Sequence, residues 1–434
     1  MKKFIIAVII VHIAGFAMAQ KLMTLEECIT IALDNNLNVK QLSNTDQSRQ
    51  IAYNQARNAL LPNLSASAQQ SLTLGRSLDE NNSYRSANST STSFGISSSI
   101  TIFDGLRMKY NIDATRAEKK ASESDLSKIK SDIAMSVSTA YLNALMNKEL
   151  LQTSREQLTL TQQNIEQRRK LVETGRMVEG ELYEFISQEA REELALVEAE
   201  NALKLSLLDL AQIMEIPDFE TIDVSLPETL YDESIILQSA SAIYEQALDK
   251  RPEIRSAEFR VQASEKSVSM AKSGYYPSLS LGASLGTNYY NLQKIPAAPF
   301  DQQLQNHLNA NIGLNLSIPI FNRFETQSGV KNANLQARNA RLTLDQEKLN
   351  LQKNIQQAYG NATTSKSRWQ AAEKAERAAQ ESFRFTQQKC DAGRATQFEL
   401  FQAKNNLTKA QSENTRAKYE FAFRLKILEL YIGR

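Results

Sequence analysis

Four stretches of the chain alternate apolar and polar residues with a period of two. In the first, Leu64, Ala66, Ala68, Leu72 and Leu74 alternate with Ser65, Ser67, Gln69, Ser71 and Thr73, and Gln70 interrupts the apolar side. In the second, Phe94, Ile96, Ile100 and Ile102 alternate with Gly95, Ser97, Ser99 and Thr101. Leu279, Leu281, Ala283 and Leu285 then oppose Ser280, Gly282, Ser284 and Gly286. Last, Leu308, Ala310, Ile312, Leu314, Leu316, Ile318 and Ile320 oppose Asn309, Asn311, Gly313, Asn315, Ser317 and Pro319. Side chains alternate across a strand, so each run has one apolar face and one Ser/Asn/Gly face. The pattern predicts strands at about 63–75, 91–103, 278–290 and 308–321. Their lengths suit a tilted strand crossing a bilayer. A half-buried hairpin of a soluble domain is the rival reading, but the polar faces carry almost no charge and no third strand follows either pair. Polar loops, Arg76 to Thr90 and Asn291 to His307, join the strands of each pair.

Elsewhere the period is seven. Val137, Ala144, Leu151, Leu158, Ile165 and Val172 form one seam; Leu182, Leu196, Leu203 and Leu210 form another, broken at Glu189. Farther on stand Ile355, Ala362, Trp369, Phe383 and Cys390, interrupted by Glu376, and Leu400, Leu407, Phe421 and Leu428, interrupted by Asn414. A seven-residue repeat marks coiled-coil packing. Ala403, Ala410 and Ala417 add a small-residue row that allows close helix approach. Leu106 to Thr174 contains neither Gly nor Pro; about 70 residues rising 1.5 Å each make a helix near 100 Å. Asp104 and Asn322 are suited to cap the long helices, and Gly175 and Gly393 to the turns that end them. The prediction is two antiparallel helical hairpins with tips at Gly175-Arg176 and Gly393-Arg394. Upstream, Thr24 with Glu27 forms a capping box for a short helix, and a further helix stops at Pro62.

The two halves repeat. Ala32-Leu33-Asp34 returns as Ala247-Leu248-Asp249 and Pro62-Asn63-Leu64 as Pro277-Ser278-Leu279, an offset of 215. Phe103-Asp104 returns as Phe321-Asn322, Ala140-Tyr141 as Ala358-Tyr359, Gly175-Arg176 as Gly393-Arg394 and Glu181-Leu182 as Glu399-Leu400, an offset of 218. The chain therefore divides into repeat 1 at 20–215 with its helical hairpin at 104–215, a linker at 216–234 holding Pro217 and Pro227, and repeat 2 at 235–434 with its hairpin at 322–434.

Composition narrows the function. With 14 Gly and 8 Pro in 434 residues, turns are few, which argues against a sandwich of short strands. Fifty basic residues against 49 acidic give no global attraction to nucleic acid. A mean hydropathy of −0.41 excludes a bundle of membrane helices but not a β-barrel. Only His12, His307, Cys28 and Cys390 are present of their types, so a metal site or other cofactor is not expected, and no nucleophile–base constellation suggests an enzyme. Cys28 and Cys390 are expected as free thiols, and Trp369 as a core residue. Met1-Lys2-Lys3, an apolar Phe4 to Phe16 and Ala17-Met18-Ala19 read as a signal peptide at 1–19, with Gln20 starting the mature chain. The apolar run is too short for a membrane anchor, and no lipobox-like run precedes Cys28.

Four membrane strands cannot close a barrel, and open edges are not tolerated in lipid. Three copies would supply twelve strands and twelve helical segments. At this point the chain resembles the TolC-like outer membrane efflux proteins, over nearly all of the mature sequence. The resemblance is carried by the helix–Pro–strand junctions at Pro62 and Pro277, by Arg251-Pro252-Glu253-Ile254, and by the tip pattern Gly393, Glu399-Leu400, Ala403, Leu407 and Ala410, echoed by Gly175 and Glu181-Leu182. It implies a mainly α chain with membrane β, a duplicated helix–strand–strand–long helix–helix unit. It further implies a homotrimer whose 12-stranded outer membrane β-barrel continues into a 12-helix periplasmic α-barrel of a Gram-negative cell. The implied role is a passive exit duct for drugs, small molecules or proteins. It would dock a periplasmic adaptor (membrane fusion) protein and an inner membrane pump of the RND or ABC type, with outer membrane lipid around it.

The resemblance also places an acidic constriction near the tips. Glu399 and Glu181 stand six positions after the tip Gly, and Glu184 and Gln402 one turn on. Three chains would bring up to nine carboxylates, which crowd, raise one another's pKa and attract cations. The same residues also read as solvated positions at helix starts. Gly175, Arg176, Gly393 and Arg394 are the implied adaptor contacts, and they equally read as turn glycines and C-terminal cations. Cys390 and Ala395 stand near positions where some relatives carry Tyr and Arg gate residues. A non-pore periplasmic coiled-coil scaffold or an adaptor is the alternative; neither explains uncharged alternating strands at matching points of a duplication.

Overall fold

The computed structural model describes residues 21–78, 83–226, 238–293 and 296–432. The expected signal peptide and the linker residues 227–234 lie outside the described residues. The chain divides into two compact units. One holds the chain up to Ser43 with Ser124–Arg255 and Glu347–Arg434, and the other holds Asn44–Glu123 and Ser256–Gln346.

In chain order, β1 (Lys21–Met23), α1 (Leu25–Asn35) and α2 (Leu37–Asn58) lead to β2 (Asn63–Thr73), short β3 (Arg76–Leu78) and β4 (Tyr84–Ser86), and β5 (Ser89–Phe103). Then come α3 (Arg107–Glu173), α4 (Glu179–Ile213) and β6 (Ile222–Val224). The order returns with α5 (Ala240–Lys250), α6 (Pro252–Lys272), β7 (Ser278–Leu292), α7 (Phe300–Asn306), β8 (Asn309–Ser317), α8 (Glu325–Asp391) and α9 (Gln397–Tyr431). The two long helices are 67 residues each and the two that follow them 35 each.

The second unit holds one four-stranded antiparallel sheet in the order β2-β5-β7-β8. Its register sorts the side chains by face. Leu64, Ser98, Ala283 and Ile312 form one cross-strand row, and Ala66, Ile96, Leu285 and Ala310 the next. The intervening row is Ser65, Ser97, Ser284 and Asn311. One face is therefore mainly apolar and the other mainly Ser, Asn and Gly, and none of the four strands holds a charged residue. β2 and β8 are the edges. Every residue of both is solvent-exposed in the single chain, Leu64 and Ile312 at 77% and 79%, an arrangement no soluble sheet of this size would leave uncovered.

The fourth strand ends at Ser317 rather than near 321, because Pro319 has no N–H to give a ladder. The polar loop after β2 is not featureless, since β3 and β4 pair within it. The expected caps also need correcting. Asp104 and Asn322 lie three residues before α3 and α8. Between cap and helix the chain passes through two left-handed residues, Gly105 and Leu106 in one case and Arg323 and Phe324 in the other. Asp104 still reaches the helix, accepting the Met108 N–H at 3.0 Å, and Asn322 donates to the Thr326 hydroxyl.

In the first unit, the buried centre joins Cys28 and Ala32 of α1 to Val137, Tyr141 and Leu145 of α3, Leu210 of α4, and Ile222 and Val224 of β6. The capping box of Thr24 and Glu27 opens α1. The described part of the expected linker is structured. β6 pairs in parallel with β1, and the Tyr141 hydroxyl ties both to α3 by donating to Ser225 O at 2.6 Å and reaching Met23 O at 3.0 Å. Ile222 and Val224 are buried on either side of Asp223, a three-residue alternation too short to stand out in sequence.

The seven-residue seams lie inward. Val137, Ala144, Leu151, Ile165, Ile355, Ala362, Leu400, Leu407, Phe421 and Leu428 are buried, and Trp369 stacks on Phe421 with ring centroids 5.5 Å apart. The two polar interruptions of the second hairpin meet each other, Asn414 Nδ2 donating to Glu376 Oε2. Arg251 accounts for the Arg-Pro-Glu-Ile segment: it is buried against Glu253 at 2.8 Å and donates to Leu430 O at the end of α9, while Pro252 occupies the first position of α6.

Candidate functional site at the hairpin tips

Both long helices end alike. Gly175 and Gly393 have φ of +69° and +68°, a conformation that only Gly adopts without cost. The Arg176 N–H reaches Leu171 O at 2.9 Å and the Gly175 N–H reaches Val172 O at 2.9 Å. The Arg394 and Gly393 amides repeat this on Lys389 O and Cys390 O at 2.7 and 3.0 Å. These are Schellman closures. They place an Arg just past the negative end of each helix dipole.

The two following helices start differently. Thr396 caps α9, and Glu399 answers it: the Thr396 N–H donates to Glu399 Oε2 at 2.7 Å and the Glu399 N–H to Thr396 Oγ1 at 3.3 Å. The backbone and hydroxyl hydrogen bonds from Thr396 hold the Glu399 carboxyl below its ordinary pKa. Val178 occupies the equivalent cap of α4 and offers no side-chain bond, so the matching carboxyl, Glu181, has no such partner in the cap.

The structure brings only some of the expected residues together. Arg176, Glu181, Glu184 and Gly393 border one cavity of about 700 Å³ between the tips, with Arg168 and Cys390. Glu184 and Gln402 face a second of about 460 Å³, beside Tyr183 and Phe398. Glu399, Gly175 and Arg394 line neither. Gln402 donates instead to Asn406 at 3.3 Å. Cys28 is buried, Cys390 half-buried, and neither is in a disulfide. Among the described residues no group of His, Cys, Asp and Glu could hold a metal ion, and no helix is long and apolar enough to cross a membrane.

Beneath the tips lies a feature not expected from sequence. Phe185 packs on Phe401 at 4.6 Å, and the Arg168 guanidinium sits 4.2 Å from the Phe185 ring centroid. About one turn deeper, Lys404 of α9 is 5% exposed. Its ammonium donates to Glu192 Oε1 at 2.7 Å, to Gln157 O at 3.3 Å and to the Thr161 hydroxyl. All three of its N–H groups are thus used, joining α9 to both α3 and α4. A signal existed, because Leu400, Ala403, Lys404 and Leu407 follow the i, i+3, i+4, i+7 spacing of a buried helix face.

Comparison with known proteins agrees with this architecture. The profile of the outer membrane efflux protein family matches residues 28–214 and 243–434. The outer membrane protein TolC of Escherichia coli is 24% identical over 439 residues, covering 97% of this chain and 84% of that one. The alkaline protease secretion protein AprF of Pseudomonas aeruginosa is 22% identical over 306 residues, 70% of this chain and 61% of AprF. The match therefore spans less than two thirds of AprF's length. The crystal structure of the outer membrane protein VceC of Vibrio cholerae superposes with a TM-score of 0.77 at 16% identity, over 94% of this chain and 96% of VceC. The profile match over both repeats, each with its strands ahead of a pair of long helices, places this protein in the outer membrane efflux protein family.

Proposed function

We propose that this chain is one third of an outer membrane channel that forms the exit duct of a tripartite efflux or type I secretion system. The observation that carries the reading is the sheet: two unpaired edges, one apolar face and one uncharged polar face. An apolar face with open edges cannot stand in lipid. In three chains β8 of each meets β2 of the next, antiparallel as every other pair in the sheet, and twelve strands close with the Ser/Asn/Gly face inward. The helical hairpins then continue the duct through the periplasm. The equal lengths of the helix pairs support an origin by duplication.

Within this reading the tips carry the two contacts that matter. Gly175, Arg176, Gly393 and Arg394, fixed by their Schellman closures, present a rigid cationic end to the periplasmic adaptor and through it to an inner membrane pump. Glu181, Glu184 and Glu399, with Gln402, form an acidic constriction that attracts cations. The low pKa of Glu399 keeps that carboxylate charged. Planar bilayer conductance of purified protein tests both parts. The wild type conducts and is blocked by divalent cations, and Glu181→Ala/Glu399→Ala conducts with weakened block. Unchanged block would refute the constriction, and absence of conductance in the wild type would refute the channel.

A further inference from the structure

A cavity of about 780 Å³ opens in the first unit where α3, α4, β6 and α9 meet. Its wall residue on α3 nearest the tip, Arg155, is about 30 Å of helix short of Gly175. Leu145, Leu151, Leu203 and Leu207 form the apolar side. Around them stand four cations and three carboxylates. Lys148 pairs with Asp223 at 2.6 Å, Arg155 with Glu200 at 3.2 Å and Lys418 with Glu149 at 3.4 Å. Each carboxylate is thereby answered and one cation is left over: among the described residues, Lys204 has no ion-pair partner. Tyr419 also borders the cavity. It is 3% exposed, and its hydroxyl makes no hydrogen bond. The neighbouring Glu149 carboxylate is engaged by Lys418 and by the Thr415 hydroxyl at 3.5 Å. Burial, with Glu149 close by, pushes the Tyr419 pKa up, so the phenol keeps its proton and remains a donor.

We propose that this cavity is a binding site for an organic anion with an alkyl body, a chain carboxylate of about twelve carbons, whose oxygens take their donors from Lys204 and Tyr419 and whose chain lies along the four leucines. The volume falls in the range of small-molecule sites, about 300–1,000 Å³. A carboxylate cancels the excess positive charge of the wall and supplies the acceptor that the buried hydroxyl lacks, which is otherwise a costly omission. A cationic amphiphile would add to the excess charge instead. The site is independent of the channel reading, because its wall belongs wholly to the first unit. An occupant touches α3 and α4 of the first hairpin and α9 of the second, and so adds to the packing that holds them together.

The test is photolabelling of the protein in phosphatidylcholine nanodiscs, free of detergent, with dodecanoate carrying a diazirine at mid-chain, followed by peptide mass spectrometry. The label is expected on α3 between Leu145 and Leu151 and on α4 between Leu203 and Leu207. Excess dodecanoate should displace it, and dodecanol should do so about tenfold less well, since it brings no charge to Lys204. Lys204→Gln, a change at an exposed position, should weaken dodecanoate binding by about tenfold. Tyr419→Phe should weaken it by about fivefold and leave the urea unfolding midpoint no lower than wild type, because the hydroxyl removed bonds to nothing. Label confined to other segments, displacement by dodecanol as good as by dodecanoate, or wild-type affinity in either variant overturns the proposal. A lowered midpoint in Tyr419→Phe does the same, since it would show the hydroxyl already partnered.

Discussion

Replacing Lys404 by Met would leave a buried carboxylate without its counter-ion. The Lys404 and Glu192 side chains are 6% and 12% exposed and 2.7 Å apart. Glu192 Oε2 already has no hydrogen-bond partner, and after the change Glu192 Oε1 keeps only the Gln188 amide at 2.8 Å. Removing one member of a buried pair typically costs about 3–5 kcal/mol, whereas replacing both by apolar groups of similar volume is often neutral or stabilising. Lys404→Met is therefore expected to lower stability by about 3 kcal/mol or more, and Lys404→Met/Glu192→Met to recover most of it. Urea unfolding of the detergent-solubilised protein, followed by far-ultraviolet circular dichroism for the wild type, both single variants and the double, measures the coupling. A single variant within about 1 kcal/mol of wild type, or a double equal to the sum of the singles, would refute the assignment of this pair as the buried tie between α9 and the first hairpin.

Other expectations follow from the same geometry. Arg323→Gly relieves a left-handed Arg and should raise stability by about 1 kcal/mol, whereas Gly105→Ala at the matching turn should lower it, because a Cβ there would lie 2.7 Å from Ser273 O; both are read by the same urea titration. Arg251→Ala strips Glu253 of its buried partner and Leu430 O of its donor, and should cost about 3 kcal/mol. The lowered pKa of Glu399 means its capping contribution is complete above the ordinary carboxylate pKa and is lost as pH falls through its lower folded value. Amide exchange at residues 396–400 should therefore stay protected down through the normal Glu range and open below it. In Thr396→Ala protection should already be weak at neutral pH.

Much of this architecture is visible in the sequence because its periods are local. A strand face shows every second residue and a coiled-coil seam every seventh, so Leu279 to Leu285 and Val137 to Ile165 announce themselves without any partner. The tertiary polar contacts do not. Glu376 and Asn414 look like two flaws in two seams, and only the folded hairpin shows that the Asn414 amide donates to the Glu376 carboxylate. Lys404 occupies an apolar stripe for the sake of acceptors on α3 and α4, more than two hundred positions away. The caps at Asp104 and Asn322 are displaced because Gly105 and Leu106 in one turn, and Arg323 and Phe324 in the other, take a left-handed backbone that Leu, Arg and Phe disfavour. At the tip, Thr396 and Glu399 carry the same Thr-x-x-Glu pattern that identifies the start of α1. Glu399 therefore holds the start of α9 through Thr396, as Glu27 holds that of α1 through Thr24.

The central claim is that the edges β2 and β8 close a barrel between chains. Cysteines placed at alternate positions of β2 and β8 in one chain, with Cys390→Ser, test it by oxidation in isolated membranes and denaturing electrophoresis. At least one β2–β8 combination should give covalent dimers and trimers and nothing larger. Cross-links only within single chains, or none between chains in any register, would contradict the account.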